Sequence, residues 1–129
     1  MTTKRRSIDI PGFAHKNPIP AASLKGNILM SGAIFGLDPA TGEPPPSLSE
    51  QVMFMFQHVD AIMREAGGRM DDVVKFTIHL RDPKDRAALN EHWKKNFPDA
   101  EARPARHVDH VPLPEGNRLI SCEFFAVLD

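Results

Sequence analysis

The chain has 129 residues, a length that fits one domain, 1–129, with a core of its own and no need of a disulfide or metal. Hydrophobic residues make up 41% and charged residues 26%, which excludes a disordered chain, and no apolar run approaches transmembrane length. Lys plus Arg number 16 against 17 for Asp plus Glu, a net charge of -1 that excludes a general pull toward nucleic acid or anionic lipid, so any anion specificity is local.

In chain order, the basic start Lys4-Arg5-Arg6 runs into Ser-Ile-Asp-Ile-Pro rather than a long apolar stretch, so no signal peptide is expected. A weak strand is predicted over Ser7 to Ile10. After the turn signal Lys25-Gly26-Asn27, the apolar run Leu29 to Phe35 reads as a buried strand. The loop from Gly36 to Ser47 contains Pro44-Pro45-Pro46, which fix φ and remove backbone donors, so helix cannot cross it. Ser47 and Glu50 then have capping-box spacing, and Val52, Phe56, Val59, Met63 and Ala66 recur at helical intervals up to Gly67-Gly68. Met53 and Phe54 fall outside that stripe. From Val73 to Leu80 the pattern alternates, with Val74, Phe76, Ile78 and Leu80 on one face and Lys75, Thr77 and His79 on the other. Asp82-Pro83 offers an N-cap and a first-turn proline for a second helix carrying Leu89, Trp93 and Phe97, closed by Pro98. Two last strands, about Ala105 to Val111 and Leu119 to Leu128, are joined by a turn at Leu113-Pro114-Glu115-Gly116-Asn117. The order β-β-α-β-α-β-β predicts an α+β fold, two helices packed on one face of a mixed sheet.

Few residues offer chemistry. Arg103-Pro104-Ala105-Arg106 sets a permanently charged fork beside a proline-stiffened turn, suited to two parallel hydrogen bonds to a carboxylate. A surface arginine paired with a neighbouring Asp or Glu is the commoner use of such a residue. His107-Val108-Asp109-His110 contains metal-ligand types, but a strand turns His107 and Asp109 to one face and His110 to the other, so solvated residues are expected and no metal. His15, His58, His79 and His92 are scattered without ligand spacing. Cys122 is the only cysteine; it permits no internal disulfide, fits a cytoplasmic setting, and reads as a buried small hydrophobe. Ser121 and Glu123 share the opposite face of that strand and point toward solvent, a neighbouring subunit or a ligand.

Taken together, Gly26-Asn27-Ile28-Leu29-Met30-Ser31-Gly32, Thr41-Gly42-Glu43, Ala66-Gly67-Gly68, Asp72-Val73-Val74-Lys75, Asn90, Arg103-Pro104-Ala105-Arg106 and Leu113-Pro114 resemble the Rid (reactive intermediate deaminase, YjgF-like) family, in order from about Gly12 to Asp129. The resemblance implies a chorismate-mutase-like fold, a homotrimer with clefts at the subunit interfaces, and hydrolysis of small enamine or imine carboxylates to a 2-keto acid and ammonia with no cofactor. It assigns carboxylate binding to Arg106, places Ser31 and Asn90 at the family's serine and asparagine, and puts Ser121 and Glu123 where two carboxylates often stand. Three departures follow. Asn17-Pro18-Ile19-Pro20 replaces an aromatic hydroxyl, Ser121 replaces the water-positioning acid, and Val108 occupies a frequent cysteine position. A cleft lined by Ile19, Phe13 or Phe35 favours a larger or less polar ligand than 2-iminopropionate. The resemblance thus implies a deaminase with Arg106, Ser121 and Glu123 as catalytic candidates and Ser31, Asn90, Ile19 and Phe35 beside Arg106 in binding. The alternatives are a pathway-specific enzyme of 2-aminomuconate type, or a trimeric binding module for a small carboxylate that has lost hydrolysis. No nucleic-acid or membrane partner is expected.

Overall fold

The computed structural model describes residues 3–113 and 116–129. Seven strands form one sheet: β1 (Arg6–Ile8), β2 (Ala22–Lys25), β3 (Ile28–Ser31), β4 (Ile34–Phe35), β5 (Val73–Leu80), β6 (Ala105–Asp109) and β7 (Ile120–Val127). Its order is β1-β2-β3-β7-β5-β6, with β4 also paired to β7. Only β5 and β6 are parallel, linked through the helix α2 (Arg86–Asn96); the other pairs are antiparallel. The longer helix, α1 (Leu48–Glu65), lies between β4 and β5 in the chain. The predicted α+β class with a mixed sheet and two helices is therefore what the chain adopts.

Five sequence expectations need correction. Val74 does not share the face of Phe76, Ile78 and Leu80: the register shifts between Val73 and Lys75, so Val73 is buried and Val74 exposed. The single strand expected over Leu29 to Phe35 is two, because the chain breaks at Gly32-Ala33 between β3 and β4; both pieces still pair with β7. Ala22–Lys25 is a further strand, too short and mixed for periodicity to reveal, and it forms a hairpin with β3 around Gly26, whose φ of 61° suits glycine. Asp82 does not cap α2: its Oδ1 accepts from the Lys84 N–H at 3.0 Å and its carbonyl from the Asp85 N–H at 3.1 Å, forming a turn that delays the helix to Arg86. The last two strands are not neighbours, since β5 lies between β6 and β7. Of the turn expected between them, Pro114 and Glu115 lie outside the described residues.

The caps of α1 follow the sequence. Ser47 Oγ accepts from the Glu50 N–H at 3.3 Å, and at the other end Gly67, with φ 88°, lets the Gly67 and Gly68 N–H groups return to Arg64 and Met63 carbonyls. Val52, Phe56, Val59 and Met63 are buried as expected, and Met55 and Ile62 widen the stripe. Along β7, Cys122, Phe124 and Ala126 turn inward with Phe76 and Ile78 of β5. Phe76 is the hub of an aromatic cluster, with Phe56 and Trp93 each 5.6 Å away and Phe97 and Phe124 each 5.8 Å. Both helices thus close over one face of the sheet.

Two residues tie β4 and the last loop to α1. Gly36 passes so close that a Cβ there would stand 1.9 Å from the Gln51 carbonyl oxygen. The Gln51 side chain, 1% exposed, donates to the Pro45 and Asn117 carbonyls at 2.8 and 2.7 Å and accepts from the Leu119 N–H at 3.0 Å. Both N–H donors and the oxygen are thus bonded to backbone, which is how a polar side chain is accommodated in a core.

Candidate functional site

The two arginines of the Arg103–Arg106 turn have different uses. Arg103 Nε donates to the Phe97 carbonyl at 2.9 Å and so ties the turn to the end of α2. Arg106, on β6 beside Phe76, lies on the helix-covered face at the sheet edge, its Cζ 5.0 Å from the centre of the Trp93 ring. Its Nη2 donates to Asn90 Oδ1 at 2.8 Å. Nη1 is shielded from water and has no hydrogen-bond partner among the described residues, and the side chain forms no ion pair there. Burial first, then the nearby Arg86 charge, lower its pKa, yet a guanidinium remains a cation at neutral pH. The commoner fate of a surface arginine, a carboxylate partner from its own chain, is not found among the described residues. What is built instead is a held fork with unspent donors.

The other candidates lie elsewhere on the chain. Ser121, His79 and Asp109 are register partners across β7, β5 and β6, and Phe35 of β4 stands beyond Ser121, so the four form a row on the face away from the helices. Ser121 is only 2% exposed, whereas Glu123, two residues along the same face, is exposed. Ser31 Oγ donates to the Gly32 carbonyl and accepts from the Phe124 N–H, both at 2.8 Å, so it stitches β3 to β7 where the β4 pairing begins. Ser31 and Glu123 line one hollow of about 470 Å³ together with Met30, Val74, Lys75 and Thr77. Ile19 is 52% exposed in the loop before β2. Ser31, Glu123, Ser121 and Phe35 therefore fall along the uncovered face of β7 and its neighbours, while Arg106 and Asn90 are brought together on the helix-covered side, so on one chain these two groups remain apart.

Sequence reasoning missed His79, whose Nδ1 is shielded and without a partner among the described residues, and Arg118, whose Cζ sits 4.5 Å over the Phe35 ring. The alternation of β5 carried the signal for His79. No local pattern carries one for Arg118. His107 and Asp109 do share a face, bonded at 2.7 Å, and His110 meets Arg86 at 3.3 Å. No group of three or more His, Cys, Asp or Glu side chains among the described residues could hold a metal ion. Cys122 is fully buried, and burial, then the Glu123 charge, push its thiol far above the ordinary range, so it acts as a small hydrophobe. His58 is buried too, its Nε2 bonded to the Leu37 carbonyl at 2.7 Å and its pKa lowered by burial, against which the hydrogen bond works. No described helix is long and apolar enough to cross a membrane.

Comparison with known proteins extends this likeness over nearly the whole chain. The family model described as Endoribonuclease L-PSP matches residues 15–127. A RutC family protein of Aquifex aeolicus is 36% identical over 121 residues, covering 87% of this chain and 94% of that protein. The 2-iminobutanoate/2-iminopropanoate deaminase of Escherichia coli K12 is 32% identical over 92 residues, 70% of this chain and 72% of the enzyme. Among solved structures, RidA from an Antarctic Psychrobacter superposes with a TM-score of 0.87 at 31% identity, over 95% of this chain and 99% of that one. Matched by the family model over residues 15–127 and by these relatives over most of their length, the chain belongs to the Rid family.

Proposed function

We propose that this protein is a deaminase of small enamine or imine carboxylates. Arg106 binds the substrate carboxylate through two parallel hydrogen bonds, water adds to the imine carbon, the C–N bond breaks, and the products are a 2-keto acid and ammonia. The observation that carries this reading is the Arg106 fork, held by Asn90 and Trp93 with a donor unspent and no carboxylate partner among the described residues. The name of the E. coli relative supports the same chemistry. In this reading the cleft is completed between subunits of a homotrimer, so that Arg106 and Asn90 of one copy meet Ser31, Ile19, Phe35, Ser121 and Glu123 of the next. The separation of these groups on a single chain supports that arrangement. Ser121 or Glu123 then orients the water.

One observation favours a second reading. The position at which the family often carries an acid is held by a buried serine hydroxyl, and a trimeric carboxylate-binding module needs no acid there. The two separate in one assay. Imino acids generated in place by an amino-acid oxidase are followed with and without protein. A rate above the spontaneous one that disappears in Arg106→Ala supports the deaminase. Saturable binding of 2-keto acids with no added rate, lost in the same variant, supports the module. Neither turnover nor binding would sink both.

A further inference from the structure

Beside the row that ends in Phe35, the loops before β2 and after β4 enclose a cavity of about 440 Å³, within the roughly 300–1,000 Å³ usual for small-molecule pockets. Phe13, Phe35 and Leu37 give it apolar walls, and its charged or titratable lining is entirely basic: His15, Lys16 and Arg118. Arg118 is held over the Phe35 ring at 4.5 Å and forms no ion pair among the described residues. His15 packs edge-on against Phe13 at 5.1 Å, its Nε2 shielded from water and without a hydrogen-bond partner among the described residues. The acid that acts on His15 from outside the lining, Asp9, already accepts the Ala21 N–H at 3.2 Å. Burial first, then the Arg118 charge, lower the His15 pKa, so the neutral ring keeps one N–H to donate while Arg118 and Lys16 supply the charge.

Other hollows lack this character. At the end of α1 the charges pair with one another, Arg64 with Asp60 at 2.9 Å and Arg69 with Asp71 at 3.2 Å, which leaves that surface without a free sign. The Phe35 cavity instead gathers positive charge around an apolar slot, in a chain whose net charge is -1. Exposed pairs of like charge gain little by standing together, and an anion between them turns repulsion into two attractions.

We infer that this cavity is an acceptor for a second carboxylate, so that the substrate is a dicarboxylate: its imine-bearing end held by Arg106, its far end by Arg118 and Lys16, and the carbon chain between them packed on Phe35. The inference rests on the deaminase or carboxylate-site reading and names the ligand class of that site. A monocarboxylate would leave the basic slot to water.

The test is a pair of product analogues of equal chain length, 2-oxoglutarate and 2-oxopentanoate, titrated calorimetrically into the full chain as it assembles in solution. The dicarboxylate is expected to bind at least tenfold more tightly. In Arg118→Gln the ratio of the two Kd values falls toward one, in Lys16→Gln it falls partway, and in Arg118→Lys much of it returns. Arg106→Ala weakens both ligands together. Equal affinities in the native protein, or a ratio that survives Arg118→Gln in a variant with native circular dichroism, would overturn the inference and leave the carboxylate site standing. If neither keto acid binds, the carboxylate site fails and the inference falls with it.

Discussion

At the scale of single residues, the carboxylate binding we propose for Arg106 depends on the shape of its fork as well as its charge. Lysine would keep the charge but offer a point donor in place of two parallel ones, and it would lose the flat contact with Trp93. Arg106→Lys is therefore expected to weaken 2-keto acid binding by roughly tenfold or more, since hydrogen bonds to charged groups contribute about 1.5–3 kcal/mol; titration calorimetry reads this, and unchanged affinity would reduce Arg106 to a local charge. A second residue carries a pH signature. His58 is buried with its pKa lowered below the ordinary value of 6.5, so the unfolded chain takes up the proton more readily than the folded one. The stability from keeping it neutral is fully present above about pH 6.5 and is lost as pH falls toward the folded value. The melting temperature should fall from pH 7 to pH 5, and His58→Gln, which keeps a donor for the Leu37 carbonyl, should flatten that slope. Arg106 stood out as a candidate because motifs spread over the whole chain form an ordered set, not because of its local turn, and the burial of Cys122 was legible because strand alternation turns it inward. Arg118 was not, because its ring partner Phe35 is 83 positions away and no local pattern reports such a contact.

At the scale of elements, strong periodicity translated into structure and weak periodicity did not. The α1 stripe and its Ser47 and Gly67 caps form as expected, since capping and amphipathicity are local. Strand β2 escaped notice because four residues half covered by neighbours show no alternation, and its place is decided by pairing to β1 and β3. The start of α2 was misplaced because an Asp-Pro pair suits both a cap and a turn, and the Asp82 side chain spends itself on Lys84. Gly36 looked like a loop opening and is in fact the point where β4 touches α1. A methyl there would meet the Gln51 backbone at 1.9 Å, and neither element can yield, because Gln51 also holds Pro45, Asn117 and Leu119 in place. Gly36→Ala should cost about 3 kcal/mol or more, at the upper end for overpacking. Urea unfolding would show it as a lower midpoint at unchanged slope, and a loss under about 1 kcal/mol would mean that the contact relaxes.

At the scale of the whole molecule, the sheet has one face under its helices and one that no helix covers, much of it open beyond the buried Phe35 and Ser121. Met30 and Val74 on the uncovered side are 57% and 46% exposed, and Ile28 and Val127 at its margin are 45% and 38% exposed. Large side chains in one neighbourhood of this kind usually mark a surface that meets another protein. The homotrimer we propose covers it and brings together candidate residues that a single chain keeps apart, so assembly and turnover should fail together. Because Met30 and Val74 lie outside the core that the helices close, charged replacements there strike association rather than folding. Met30→Asp with Val74→Glu is expected to convert the trimer to monomer by sedimentation, to preserve cooperative unfolding, and to abolish turnover of a generated imino acid. A native protein that sediments as a monomer yet turns over imines would show that one chain completes its own site. A double variant that remains trimeric would show that the copies meet through another face.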